Sequence, residues 1–161
     1  MYCFWSGELN IGAIDGVVAT EPGFMHGREV VQVTYNPAAV KYEDILQKAK
    51  QAKCADAAFV HNEEQARKAE KVLGENKVRD KSNFRLDRDR KYYLSKTHYR
   101  AVPMTSLQAI HANRLIANGK SPDTVLSDKQ IAFAKQMEKQ EKAKWINRVG
   151  EDFVSAWETL E

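Results

Sequence analysis

The chain has 161 residues, of which 43% are hydrophobic and 29% are charged, with a formal net charge of +3 at pH 7. These values exclude a disordered chain and two large domains, and no apolar run approaches the roughly 18 residues that a membrane-spanning helix needs. Basic residues alternate with acidic ones, as in Asp87 to Lys91, whereas a nucleic-acid binder gathers positive charge on one face. We therefore expect a soluble protein with neither nucleic acid nor a membrane as partner.

The first third of the chain predicts one helix and a hairpin. Tyr2 to Ile14 has the pattern of a short helix that stops at Asp15-Gly16, which puts Cys3 at the helix N-terminus. Val17 to Phe24 and Glu29 to Asn36 are strand-like, and the second alternates cleanly between apolar and polar residues. Turn residues lie between the two strands, so we expect them to pair as a hairpin.

A helix, a strand and a second helix follow the hairpin. Their predicted ranges are Tyr42 to Lys53, Ala55 to His61, and Asn62 to Leu73, the last with an N-capping asparagine. The element order αββαβα predicts an α+β fold for residues 1–74. A strand ahead of Cys3, largely missing here, would complete a ferredoxin-like split βαβ sheet with helices on one face.

Residues 75–161 predict a mostly helical extension that packs on the first domain. The polar stretch from Glu75 to Lys91 reads as a loop. Beyond it we expect a helix that opens near Thr105 and ends before Gly119, a long helix from Ser127 to about Asn147, and a last amphipathic turn or two over 153–160.

Two cysteines, Cys3 and Cys54, are present. They are too few for a disulfide scaffold and fit no zinc spacing, so no metal is expected, but they could form a redox pair. A cysteine at a helix start is activated because free backbone N–H groups and the helix dipole favour the thiolate, which is the attacking species. For a lone cysteine, the alternative role is that of a small buried apolar residue.

Five segments resemble, in order, signature stretches of the A-type peptide methionine sulfoxide reductases, among them GCFWGxE, GVxxTxxGY and HAExVxVxYDP. The segments are Tyr2–Glu8, Gly16–Phe24, Arg28–Pro37, Tyr42–Leu46 and Phe59–Gln65. One such match would be weak, but five collinear matches over residues 2 to about 70 are specific. Beyond Leu73 the resemblance stops.

The resemblance implies an oxidoreductase that repairs methionine S-sulfoxide, free or in peptides, under oxidative stress. Cys3 would attack the sulfoxide sulfur while Glu29 passes a proton to the departing oxygen, leaving methionine and a cysteine sulfenic acid. Phe4 and Trp5 would form the apolar wall around the substrate's S-methyl group, and such a wall also disfavours a charged carboxylate. No cofactor would be bound, and thioredoxin or another thiol reductant would supply electrons.

The chain departs from the family's pattern at two pocket loops. An insert that carries a substrate-binding tyrosine is reduced to Met25–Arg28, and a loop that holds an aspartate and a second tyrosine is replaced by Cys54–Asp56. Candidate substitutes for the missing pocket residues are His26 as a substrate-binding residue, Asp56, Tyr92-Tyr93 and His98-Tyr99.

The predicted topology makes Cys54 the candidate resolving cysteine. In a split βαβ layout the fourth strand starts at the level where the first one ends, so Cys54, opening the fourth strand, would approach a sulfenic acid on Cys3. A buried structural thiol is the alternative.

Three functions stay open on these residues. The first is an active methionine sulfoxide reductase of a shortened kind with a helical C-terminal extension. The second is a non-catalytic module that binds methionine-containing peptides in the aromatic pocket. The third is a dithiol oxidoreductase that reduces another oxidised substrate through Cys3 and Cys54. A binding module does not need Cys3, whereas both enzymes do.

Overall fold

The computed structural model describes residues 3–160, so Tyr2 lies outside the described residues. The chain divides into two compact units, one ending at Arg88 and the next beginning at Asp89. The described residues contain seven α-helices and a small antiparallel sheet, which confirms the predicted mixture of helix and strand.

The first unit holds three helices and five strands. The helices are α1 (Phe4–Gly12), α2 (Tyr42–Gln51) and α3 (Glu63–Leu73). The strands are β1 (Val17–Met25), β2 (Arg28–Tyr35), β3 (Ala58–Val60), β4 (Val78–Asp80) and β5 (Arg85–Leu86). Helix α3 starts and ends as the sequence predicts, because the Asn62 side chain accepts a hydrogen bond from the Gln65 amide and Gly74 follows the last turn.

The predicted hairpin is confirmed as the antiparallel pair of β1 and β2. Met25 pairs with Arg28, which leaves His26 and Gly27 as a two-residue turn. Both turn residues have positive φ, 49° and 70°, as a type I′ turn requires. This turn matches the right-handed twist of the strands, so the hairpin closes without further residues.

The described strands form two sheets and not one split βαβ sheet. Strand β1 lies between β2 and β5 in an antiparallel sheet, while β3 and β4 pair in parallel as a separate ribbon. The prediction of a loop over Glu75 to Lys91 is wrong, since this stretch contains β4 and β5. Strand β5 can approach β1 closely because residue 23 is a glycine; a Cβ there would lie 2.5 Å from the Arg85 carbonyl oxygen and the Phe84 ring.

Two apolar groups fill the first unit. Phe4, Ile11 and Ile14 from the α1 segment are each no more than 6% exposed, which confirms the predicted buried side of this helix. A second cluster joins α2, β3 and α3; its members are Leu46, Ala58, Val60, Ala69 and Leu73.

The second unit, which begins at Asp89, is helical in its described residues. Its helices are α4 (Tyr92–Ser95), α5 (Ser106–Ala117), α6 (Asp128–Glu138) and α7 (Phe153–Glu158). Capping boxes at Thr105 and Ser127 open α5 and α6. The prediction of one long helix to about Asn147 is wrong, because the chain folds back after Glu138 and the Trp145 indole N–H donates to the Met137 carbonyl oxygen over 2.8 Å. No described helix combines the length and the apolar character needed to cross a bilayer.

Candidate active site

Cys3 is the N-cap residue of α1, with extended backbone geometry and a half-buried free thiol. Its carbonyl oxygen accepts the first hydrogen bond of the helix, from the Gly7 amide over 3.1 Å. Cys3 therefore lies at the end of α1 where the first amides have no partner within the helix, and its side chain makes no capping hydrogen bond.

Glu29, near the start of β2, lies against this helix start. The Phe4 amide N–H donates to Glu29 Oε2 over 2.9 Å. This amide nitrogen belongs to the peptide bond that leaves Cys3, so the fold places the candidate acid within one residue of the candidate nucleophile. A carboxylic acid can accept a hydrogen bond at one oxygen and donate from the other. The contact thus permits proton donation next to the thiol.

An aromatic group adjoins the helix start. The Phe4 ring is 5% exposed and meets the Phe24 ring edge-on at 5.4 Å, while the Trp5 ring lies 5.6 Å from Phe4 and is half-buried. The Arg85 guanidinium covers Phe24 at 4.4 Å from the ring centre. The Phe4 side chain is largely buried by packing, so a larger part of Trp5 than of Phe4 is accessible.

Cys54 occupies the connection between α2 and β3, four residues before the strand, so the prediction that it opens the strand is wrong. The strand starts later because Lys53, with φ of 56°, turns the chain and the Cys54 amide still bonds the helix carbonyl of Ala49 over 2.8 Å. The thiol is 6% exposed and donates to the Ala52 carbonyl oxygen over 3.3 Å.

Burial raises the pKa of the Cys54 thiol above its ordinary value. A hydrogen bond from the Asn10 side chain lowers this pKa in part, and a negative charge on Cys3 adds a smaller rise.

A cavity of about 350 Å³ lies in the first unit. Glu29 and Cys54 both line it, together with apolar residues of α1 and α2 and with parts of β2 and β3. Tyr42 also lines it, and burial raises the pKa of this phenol to about 12. Among the described residues, Cys3, Phe4 and Trp5 are not part of the lining.

Two further candidates, His26 and Asp56, lie on exposed connections of the first unit. His26 is an exposed turn residue whose ring stacks on Phe59 at 6.0 Å, and Asp56 is exposed on the loop after Cys54. Sequence reasoning missed Asn10, Phe24 and Arg85. Asn10 carried a usable signal, because it follows Cys3 by seven residues, which corresponds to about two turns of helix. Arg85 carried none, since its strand of two residues lies in a polar stretch.

A comparison with curated proteins identifies the family. The chain is 30% identical over 119 aligned positions to a peptide methionine sulfoxide reductase MsrA of Nostoc, an alignment that covers 53% of this chain and 71% of that protein. The chain belongs to this family. MsrA proteins of Methanococcus maripaludis strain C5 and Geobacter metallireducens are 43% and 36% identical over 63 and 61 positions, which cover 29% and 27% of this chain.

The chain spans 40% of the length of the Methanococcus maripaludis protein and 38% of the Geobacter metallireducens protein. No family model matches the chain. The resemblance read from the five sequence segments is nevertheless confirmed by the curated relatives.

Proposed function

We propose that the protein reduces methionine S-sulfoxide, free or within peptides, to methionine, with Cys3 as nucleophile and Glu29 as proton donor. The contact of 2.9 Å between the Glu29 carboxylate and the Phe4 amide is the observation that carries this proposal. It joins an acid from β2 to the residue directly after the thiol, and it does so in a chain whose relatives are named peptide methionine sulfoxide reductases.

In the first step, the Cys3 thiolate attacks the sulfoxide sulfur and Glu29 protonates the sulfoxide oxygen. A bond between the two sulfurs forms first, and it breaks as the protonated oxygen passes from the substrate sulfur to Cys3, which leaves Cys3 as a sulfenic acid. The substrate sulfur gains two electrons and Cys3 loses two, so the products are methionine and oxidised enzyme. The half-buried Trp5 ring would contact the substrate's S-methyl group.

In the second step, the Cys54 thiolate attacks the sulfur of the Cys3 sulfenic acid. A disulfide forms between Cys3 and Cys54, and the hydroxyl group leaves as water after taking up a proton. Thioredoxin or another thiol reductant then returns both cysteines to thiols. The bond requires Cα atoms within about 7 Å or a backbone that moves.

The cavity also supports a split βαβ arrangement. Both β2 and β3 line it, and each has a partner strand on one side among the described strands. A strand ahead of Cys3, which the split βαβ layout requires, would pair with both edges and join the two sheets. Hydrogen exchange tests this: in a protein that carries such a strand, the amides on the β2 edge opposite β1 should be protected, and fast exchange there would refute the arrangement.

A stereospecific assay tests the reaction. Purified protein, a thiol reductant and either the S- or the R-sulfoxide of methionine, free and in a peptide, should yield methionine from the S form only. Cys3→Ser is the matched inactive control. If the folded protein reduces neither form yet binds the sulfoxide peptide, the reductase proposal fails and a methionine-binding module takes its place.

A further inference from the structure

Asn10 links the helix that carries Cys3 to the loop that carries Cys54. Its side-chain nitrogen Nδ2 lies 2.9 Å from the Ser6 carbonyl oxygen and 3.7 Å from Cys54 Sγ. Asn10 follows Cys3, the N-cap of α1, by seven residues, which corresponds to about two turns and roughly 10 Å along the helix axis. The side chain therefore connects the two thiol-bearing segments directly.

The Ser6 carbonyl fixes which end of the Asn10 amide faces the sulfur. A carbonyl oxygen can only accept, so it must meet the NH₂ group of Asn10 and not its oxygen. That group has two hydrogens. One hydrogen bonds the Ser6 carbonyl oxygen, and the other points to the Cys54 sulfur. If the Asn10 amide were flipped, the 2.9 Å hydrogen bond to Ser6 would be lost and the amide oxygen would face the sulfur.

This bond gains importance when Cys54 loses its proton. As a thiol, Cys54 donates to the Ala52 carbonyl oxygen over 3.3 Å. A thiolate has no proton to donate, so the carbonyl dipole then repels it. Burial also disfavours the charge, since Cys54 is 6% exposed. Among the described contacts, the Asn10 N–H is the one side-chain donor that favours the charged sulfur.

We propose that Asn10 is a positioning residue for Cys54, which holds the Cys54 sulfur against α1 and stabilises its thiolate for attack on oxidised Cys3. The proposal rests on the proposed function in so far as Cys54 resolves the sulfenic acid. The attack forms the Cys3–Cys54 bond and releases water, and an external thiol reductant restores the dithiol, so Asn10 itself is neither oxidised nor reduced.

The first test follows Cys54 alone, in full-length protein with Cys3→Ser, by the pH dependence of alkylation. Asn10→Leu keeps a similar shape without a donor, and Asn10→Asp places a negative oxygen against the sulfur. Both should move the midpoint of the pH profile upward, by about 0.5 unit or more, which is about threefold in thiolate fraction. A changed plateau with an unchanged midpoint would indicate altered access and would overturn the proposal.

A matched control exists in the second unit. The Asn118 side chain donates to the Arg114 carbonyl oxygen over 2.7 Å, at the same i to i−4 spacing as Asn10 and Ser6, with no thiol among its described contacts. Asn118→Leu should leave the Cys54 profile unchanged. An equal shift in this variant would show a general stability effect and refute a role specific to Asn10.

The second test uses the Cys3-containing protein and one equivalent of methionine S-sulfoxide. Asn10→Leu should leave the first burst of methionine intact and slow Cys3–Cys54 disulfide formation about threefold or more, read by mass spectrometry. An unchanged disulfide rate contradicts the proposal. If the parent chain makes methionine but no disulfide, the resolving role of Cys54 fails, whereas the alkylation profile still decides whether Asn10 acts on its sulfur.

Discussion

The two cysteines of the first unit lie in contrasting surroundings. Cys3 is half-buried at the start of a nine-residue helix, with the Glu29 carboxylate bonded to the next amide. Cys54 is buried in a loop, donates to a carbonyl and meets the Asn10 amide. The first thiol lies at a helix start and is partly accessible, whereas burial disfavours a negative sulfur at the second.

This contrast separates two chemical tasks. A sulfur that attacks an external substrate needs access and a ready thiolate, whereas a sulfur that attacks an enzyme-bound sulfenic acid must avoid competing substrates until then. The surroundings of Cys3 suit the first task and those of Cys54 the second. Replacing the residues of the two sites one at a time tests this division of tasks.

Replacement of Cys3 has the largest expected effect. Cys3→Ser should lower sulfoxide reduction by about 10³-fold or more, because a serine hydroxyl is not ionised and is a far weaker nucleophile than a thiolate. Methionine release per enzyme, measured by chromatography, reports the loss. Activity within tenfold of the parent chain would move the nucleophile elsewhere, with Cys54 as the next residue to replace.

Replacement of Glu29 is next. Glu29→Gln should keep the fold, since an amide oxygen can accept from the Phe4 N–H as the carboxylate does, but it should lower turnover by about 10²- to 10⁴-fold because an amide cannot deliver a proton. Thermal unfolding of the variant serves as the control for folding. Turnover within threefold of the parent chain would exclude Glu29 as the donor.

Cys54→Ser should separate the two steps. The first methionine per enzyme should form at the parent rate, while steady-state turnover with a protein reductant should fall about tenfold, since a sulfenic acid replaces the disulfide that such a reductant recognises. A small thiol such as dithiothreitol should restore turnover. Parent-like turnover with thioredoxin would mean that Cys54 is a structural thiol.

The smallest effect concerns the cavity that Glu29 and Cys54 share. Burial raises the pKa of Tyr42 from 10.0 to about 12, so the folded state keeps the phenol neutral where the unfolded state ionises it. The contribution of neutral Tyr42 to the free energy of unfolding is fully present below pH 10.0 and is lost as the pH rises toward about 12. Tyr42→Phe should therefore reduce the loss of the free energy of unfolding between pH 9 and about 11.5, measured with urea. An equal loss of the free energy of unfolding in the parent chain and in Tyr42→Phe would indicate that the cavity around Tyr42 is hydrated.

Local signals predicted much of the fold. The Asn62 cap with Gly74, and the alternation of β2 around a two-residue turn, specify their elements within a few residues of the chain. The short strands β4 and β5 were not predictable, because each is formed by pairing with a distant strand and has three residues or fewer. Long-range pairing outweighs local propensity in such strands.

The candidate site likewise combines features set by local sequence with contacts between residues far apart in the chain. The position of Cys3 at the helix start follows from Gly16, Asp15 and the apolar spacing, all of which are local. The meeting of Glu29 with the Phe4 amide and that of Asn10 with Cys54 join residues 25 and 44 positions apart. Spacing along the chain carries no information on such contacts, and the family resemblance supplied the first of them but not the second.

The turn of the hairpin also offers a position for engineering. His26 and Gly27 form the two-residue turn that connects β1 to β2. The register of the two strands depends on their own residue pairs, from Met25 with Arg28 to Val17 with Tyr35. Exposed loop tips of this kind tolerate inserted sequence. A graft of a longer, tyrosine-bearing loop between His26 and Gly27 would change the rim of the pocket while leaving the sheet register in place.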